Sequence, residues 1–140
     1  MSATTSGMDL AMSLSLLTTR LLKQIDRRLN IHGISFSQDM MMHHLHAAPN
    51  NTMRRIDLAD SIRLTASGVT RLLIPMEKIR LVRKERNPRD ARVSLVRLTE
   101  TDQLVYQDAT VGFEQGADAF LQPLSATQKA RFLELTQAVP

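Results

Sequence analysis

Arg86, Arg89 and Arg92 fall within seven residues on a turn marked by Asn87-Pro88, and Asp90 sits two positions before Arg92. Guanidinium forks match phosphate geometry, and a neighbouring carboxylate can fix one fork's direction while leaving its other donors free. An exposed Asp–Arg pair contributes only ~0–1 kcal/mol to stability, so the role this spacing suggests for Asp90 is positional. A second constellation, Asp39 with His43, His44 and His46, carries zinc-ligand chemistry, because His43 and His46 share a helical face with Asp39. No second His/Glu cluster completes such a site, so these are read as surface or partly buried histidines and no metal is expected. Without a Gly-rich phosphate loop, a nucleophile elbow or an arguable carboxylate pair, neither an enzyme nor a cofactor is expected. Five aromatics among 140 residues also argue against binding single strands by stacking.

Charge is unevenly spread. Between Arg71 and Arg97, nine Lys/Arg face three carboxylates, a net +6, whereas from Leu98 to Pro140 two basic residues face six acidic ones, a net −4. A basic middle of this kind suits a polyanion, with a solvated charge run as the alternative. The chain has no cysteine, which excludes disulfides and thiolate metal sites. No apolar run approaches the ~18 residues of a membrane span. The start MSATTSGMDLAM lacks the basic flank and apolar core of a secretory signal, so a cytoplasmic location is expected.

The elements that would position these residues follow from periodicity and caps. Asp9–Asn30 reads as a helix with an apolar stripe at Leu10, Leu14, Leu17, Leu21, Ile25 and Leu29. Leu16 and Leu22 widen that stripe, predicting burial on more than one side. Ser35 with Gln38 makes a capping box for a helix to Ala47. Pro49-Asn50-Asn51 is loop, and Asn51 or Thr52 caps a short helix through Ile62. Arg63-Leu64 turns the chain, Thr65 caps a helix over Ala66–Lys78, and Val69, Leu72, Leu73 and Met76 face inward. Leu81–Arg86 and Arg92–Leu98 alternate as a hairpin. Thr99 is expected to open a long helix to about Phe120, and Ser125 with Gln128 caps a last one. The fold class is therefore mainly α with a small β-hairpin wing, arranged as a winged helix-turn-helix. An ordinary helical hairpin is the alternative for the two short helices taken alone.

In the winged arrangement the second helix would enter a major groove by its first turns. Ser67, Thr70 and Arg71 lie outward there, and the Thr65 cap region offers backbone N–H groups to phosphate. The stretch LADSIRLTASGVTRLLIPMEKIRLVRKERNPRDARVSLVRLTETD, from Leu58 to Asp102, resembles the signature of the MarR (multiple antibiotic resistance regulator) family. The matching elements are Leu-Ala in the first helix, S-x-V-T-R-L in the recognition helix, L-V-R before the wing, D-x-R within it and L-T-E after it. The close match covers about a third of the chain, and helix order extends it over nearly all.

The resemblance implies a homodimeric transcriptional regulator, a repressor, that binds a pseudo-palindromic duplex operator. Segments 1–34 and 99–140 would form the helical dimerisation region and 35–98 the winged helix-turn-helix, within one continuous domain. Thr65, Ser67, Thr70 and Arg71 would serve the recognition helix, and Arg86, Arg89, Asp90 and Arg92 the wing. A small anionic or aromatic effector would bind between the dimer helices and the winged helix, where the helix carrying Met40-Met41-Met42 would form one wall. Four residues depart from the family pattern. Arg80 stands where a Gly usually ends the recognition helix in the left-handed conformation, at ~1 kcal/mol or more. Pro75 predicts a kink or an early end near Ile74. Ala91 replaces a frequent wing arginine, and Asp102 a frequent Gly. The alternative function these raise is a winged-helix protein that acts through protein contacts and no longer binds an operator.

Overall fold

The computed structural model describes residues 4–100 and 102–140, with side chains for all of these except 102 and 103. Six helices and three strands follow in the order α1 Gly7–Leu29, α2 Phe36–Ala47, β1 Thr52–Arg54, α3 Arg55–Ser61, α4 Ala66–Lys78, β2 Val82–Arg86, β3 Ser94–Leu98, α5 Asp102–Leu121 and α6 Ala126–Ala138. The fold is mainly α with a small antiparallel wing, as the sequence implies.

Caps set most helix starts. Ser35 Oγ accepts from the Gln38 amide while Gln38 Oε1 accepts from the Ser35 amide, and Ser125 with Gln128 repeats this reciprocal pair at α6. Thr65 Oγ1 accepts the Gly68 N–H at 3.1 Å to start α4. A Cβ added at Gly68 would stand 3.2 Å from that same oxygen, so glycine leaves room for the cap. Ser6 caps α1, which starts at Gly7, two residues ahead of the expected Asp9.

The core gathers the inner faces of α2, α3, α4 and the sheet. Met41, Met42, Leu45, Leu58, Val69, Leu73, Met76 and Val96 are completely buried there, and Ile25 and Leu29 join them from the end of α1. Each such side chain contributes ~1.5–3 kcal/mol relative to an exposed one. Helices α1 and α5 approach closely at Gly116, where a Cβ would lie 3.1 Å from the Arg28 side chain.

Five expectations need correction. A third strand, β1, occupies Thr52–Arg54 where a helix start is expected, and it pairs antiparallel with β3 to give the sheet order β1-β3-β2. Its three residues are too few to show alternation, and the pairing that makes them a strand lies more than 40 positions along the chain. The second strand of the wing begins at Ser94, leaving Arg92 in the connecting turn. The Thr99 side chain does not open α5. Its hydroxyl donates to the Arg80 carbonyl and its amide to the Leu81 carbonyl at 3.0 Å, which ties the end of β3 to the entry of β2. The α1 stripe is not buried along its length within this chain, for Leu10, Leu14 and Leu16 are all exposed. Finally, of the kink or early end expected near Ile74, the early end is absent, and α4 continues through Pro75 to Lys78. Pro75 is exposed, so water can reach the Arg71 carbonyl that the missing N–H leaves free, while Leu73 and Met76 on either side hold the helix to the core.

Arg80 takes the left-handed conformation that its position demands, at φ 63°. The Arg80 amide donates to Glu77 O at 3.0 Å and the Leu81 amide to Met76 O at 2.9 Å, the two bonds of a Schellman termination. Helix α3 ends identically at Arg63, φ 59°, with Arg63 N–H to Asp60 O and Leu64 N–H to Ala59 O. Two arginines thus occupy positions that favour glycine. Replacing Arg80 by Gly should raise the urea-unfolding free energy by about 1 kcal/mol, through relief of the Cβ clash. An unchanged or lower value would mean that the Arg80 side chain makes compensating contacts.

Candidate nucleic-acid interface

Burial of Val69, Leu73 and Met76 turns one side of α4 to the core and leaves Ser67 and Arg71 exposed on the other. The structure distinguishes the four residues that the sequence groups together. Thr65 spends its hydroxyl on the cap, with the Ser67 hydroxyl 3.2 Å away. Thr70 donates to the Ala66 carbonyl at 3.0 Å and accepts from the Arg55 guanidinium at 3.0 Å, so it offers a groove chiefly its methyl group. Of these four, Arg71 is the one whose side chain makes no hydrogen bond or ion pair among the described residues, and it is exposed. Arg55, at the first position of α3, was not legible as a site residue, because only the folded packing of α3 on α4 brings it to Thr70.

The wing tip is built by side-chain-to-backbone bonds. Asn87 Oδ1 accepts the Arg89 N–H at 2.9 Å, and the Asp90 N–H reaches Asn87 O at 3.2 Å. Asp90 Oδ1 accepts both the Arg92 amide at 3.0 Å and its Nε at 3.4 Å. That is the positional role the spacing suggests, since the Arg92 side chain remains 92% exposed with its terminal amino groups outward. Arg86 and Arg89 are exposed beside it. A cleft of about 260 Å³ joins wing to helix, lined by Arg54, Arg55, Ile56, Ala66, Arg92, Val93 and Ser94. The start of α4 and the base of the wing therefore border one basic concavity, which suits a polyanion.

The fold has known counterparts. A MarR family transcriptional regulator from Streptomyces coelicolor, Sco3205, solved in complex with DNA, superposes with a TM-score of 0.86 at 21% identity, over 99% of this chain and 89% of that one. A MarR variant from E. coli complexed with operator DNA gives 0.84 at 17% identity, over 94% of each chain. MepR from S. aureus, also in a DNA complex, gives 0.81 at 18%, over 92% of this chain and 95% of that one. The chain has the MarR fold. No family model and no curated protein matches the sequence itself. The departures from the family pattern leave the MarR fold intact, because Arg80 completes the Schellman turn and Pro75 lies within a continuous α4. The side chain of Asp102 lies outside the described residues.

The histidines are organised by an aromatic ring. His43 Nδ1 lies 3.0 Å from the Tyr106 hydroxyl, and the His46 ring stacks on Tyr106 with centroids 4.1 Å apart. Among the described residues no three His, Asp or Glu side chains are placed to hold a metal. Met41 and Met42 belong to the core, while Met40 lines a crevice of about 300 Å³ between α2 and α5 with Asp39, His43, Thr110, Phe113 and Glu114. Two carboxylates and no Lys or Arg line it.

Asp39 is buried with one oxygen lacking a hydrogen-bond partner. Burial raises its carboxyl above the ordinary range, opposed by the nearby His43 and His32. The folded chain therefore holds this proton more tightly than the unfolded chain, and stability falls as pH rises past the ordinary aspartate value. Asp39→Asn should accordingly stabilise the protein at pH 7, with the gain shrinking as pH falls toward about 4. Urea titrations at both pH values measure it, and a gain that grew on acidification would contradict the burial argument.

Proposed function

We propose that the chain is a sequence-selective, duplex-DNA-binding transcriptional regulator of the MarR type, a repressor that works as a homodimer in the cytoplasm. The observation that carries this reading is the shared cleft. The first turn of α4 and the arginine-bearing wing open onto one concavity, so a helix in a major groove and a wing at the adjacent minor groove can engage a duplex together. Ser67, Thr70 and Arg71 would meet base edges, with Thr65 setting the start of the helix. Arg86, Arg89 and Arg92 would meet phosphates or the minor groove, with Asp90 orienting Arg92. Both this chain's winged region and the DNA-complexed structures it resembles have the same architecture, which supports the reading.

The dimer is supported by apolar surface that the single chain leaves uncovered. Helix α6 has no buried residue, and its Phe132, Leu133 and Leu135 are exposed alongside Leu10, Leu14 and Leu16 of α1. We assign 1–34 and 99–140 to dimerisation and 35–98 to DNA binding on that basis. The crevice between α2 and α5 is a candidate effector site. Phe113 and Met40 suit an aromatic compound, whereas Asp39 and Glu114 disfavour an anionic one.

Fluorescence anisotropy with a duplex selected by the protein from a random pool, and with a scrambled duplex, tests the assignment. Arg92→Ala should weaken binding to both alike. Arg71→Ala should also narrow the gap between them, by ~1–3 kcal/mol if it contacts a guanine. Unchanged affinity for Arg92→Ala would remove the wing assignment. Selective binding preserved in Arg71→Ala would remove α4 as the reader.

A further inference from the structure

Arg55 lies outside the Leu58–Asp102 stretch that carries the family resemblance, yet it lines the cleft. Its Nη1 donates to Thr70 Oγ1 at 3.0 Å, and the same residue lines the concavity between α4 and the wing. Its neighbours there are already matched to carboxylates. Arg54 pairs with Asp57 at 2.8 Å, and Arg92 with Asp90 at 3.4 Å. Among the described residues no carboxylate pairs with Arg55, although it is partly buried. A guanidinium has five N–H donors, and the bond to Thr70 uses one.

Resting on the DNA-binding reading above, we infer that the cleft receives one backbone phosphate of the duplex, and that Arg55 holds it while fixing Thr70. If α4 occupies a major groove and the wing reaches the adjacent minor groove, the sugar–phosphate strand that separates the two grooves must cross between them. That crossing point is the cleft bordered by Ala66 on the helix and by Val93 and Ser94 at the wing base. The Arg55 fork supplies the planar pair of donors that a phosphate accepts, and Arg92 lines the same cleft. Through its bond to Thr70, Arg55 occupies the threonine hydroxyl, which also donates to the Ala66 carbonyl, and so leaves the methyl as the part of Thr70 free to meet a base. Phosphate position and recognition-helix side chain are thereby linked through one residue. Arg55 is a positioning residue that reads no base.

The salt dependence of binding separates this role from a merely structural one. Purified wild type, Arg55→Ala and Arg55→Lys are titrated by anisotropy onto the selected and the scrambled duplex over a range of KCl concentrations. Arg55→Ala should bind both about tenfold more weakly. The slope of log affinity against log salt should also be shallower by ~0.9, the counterion release of one phosphate. Arg55→Lys should restore the slope, since the charge remains, but only part of the affinity, since the fork is lost. This variant also decides the matter if Arg55→Ala does not fold. A loss confined to the selected duplex would overturn the inference by making Arg55 a base reader. Wild-type affinity and slope in both variants would overturn it as well. Wild-type protein that itself binds no duplex would instead remove the DNA-binding reading on which the inference rests.

Discussion

What α4 buries determines what it can show. Val69, Leu73 and Met76 recur at the spacing of one helical face, and all three are completely buried against α2, α3 and the sheet. Rotating the helix would expose that stripe, at ~1.5–3 kcal/mol for each side chain. Its azimuth is fixed further by Gln38. That side chain closes the cap of α2 through its oxygen and donates its amide N–H to the Leu72 carbonyl at 3.1 Å. Gln38 is itself buried, so losing it would strand polar groups away from water. The outward setting of Ser67 and Arg71 is thus a consequence of packing on the opposite side.

Electrostatics complete the surface that packing orients. The wing concentrates positive charge at a tip whose backbone is held by Asn87 and Asp90, and those bonds cost the arginines little of their donor capacity. An exposed pair such as Asp90–Arg92 contributes almost nothing to folding, so its sense is directional. On the proposed reading the binding energy would come mostly from phosphates and the selectivity from the few side chains on α4. The exposed apolar faces of α1 and α6 lie apart from this chemistry and suit the second copy that would place a matching half-site.

Features with local causes were legible in the sequence. The Ser35/Gln38 and Ser125/Gln128 boxes, the Thr65 cap and the Asn87-Pro88 turn each announce themselves within four residues, and the structure places all of them as expected. What was hidden depends on distant partners. Strand β1 exists because β3 is there to pair with it, and Thr99 faces back to Arg80 and Leu81 because the sheet brings them together. The same holds for Arg55, whose meaning appears only when α3 lies on α4. Pro75 misled in the opposite sense. A local rule predicted a kink or an early end to α4, and burial on both sides of the proline overrode the early end.

The central claim is that α4 and the wing together hold a duplex, and equilibrium binding of the wild-type protein to DNA flanking its own coding sequence tests it most directly. Anisotropy is read against a scrambled competitor at several salt concentrations. The account predicts selective binding whose logarithm falls linearly with log salt, at about −0.9 per neutralised phosphate over several phosphates. Weak binding that ignores both sequence and salt would contradict it and point to a protein partner for the winged face.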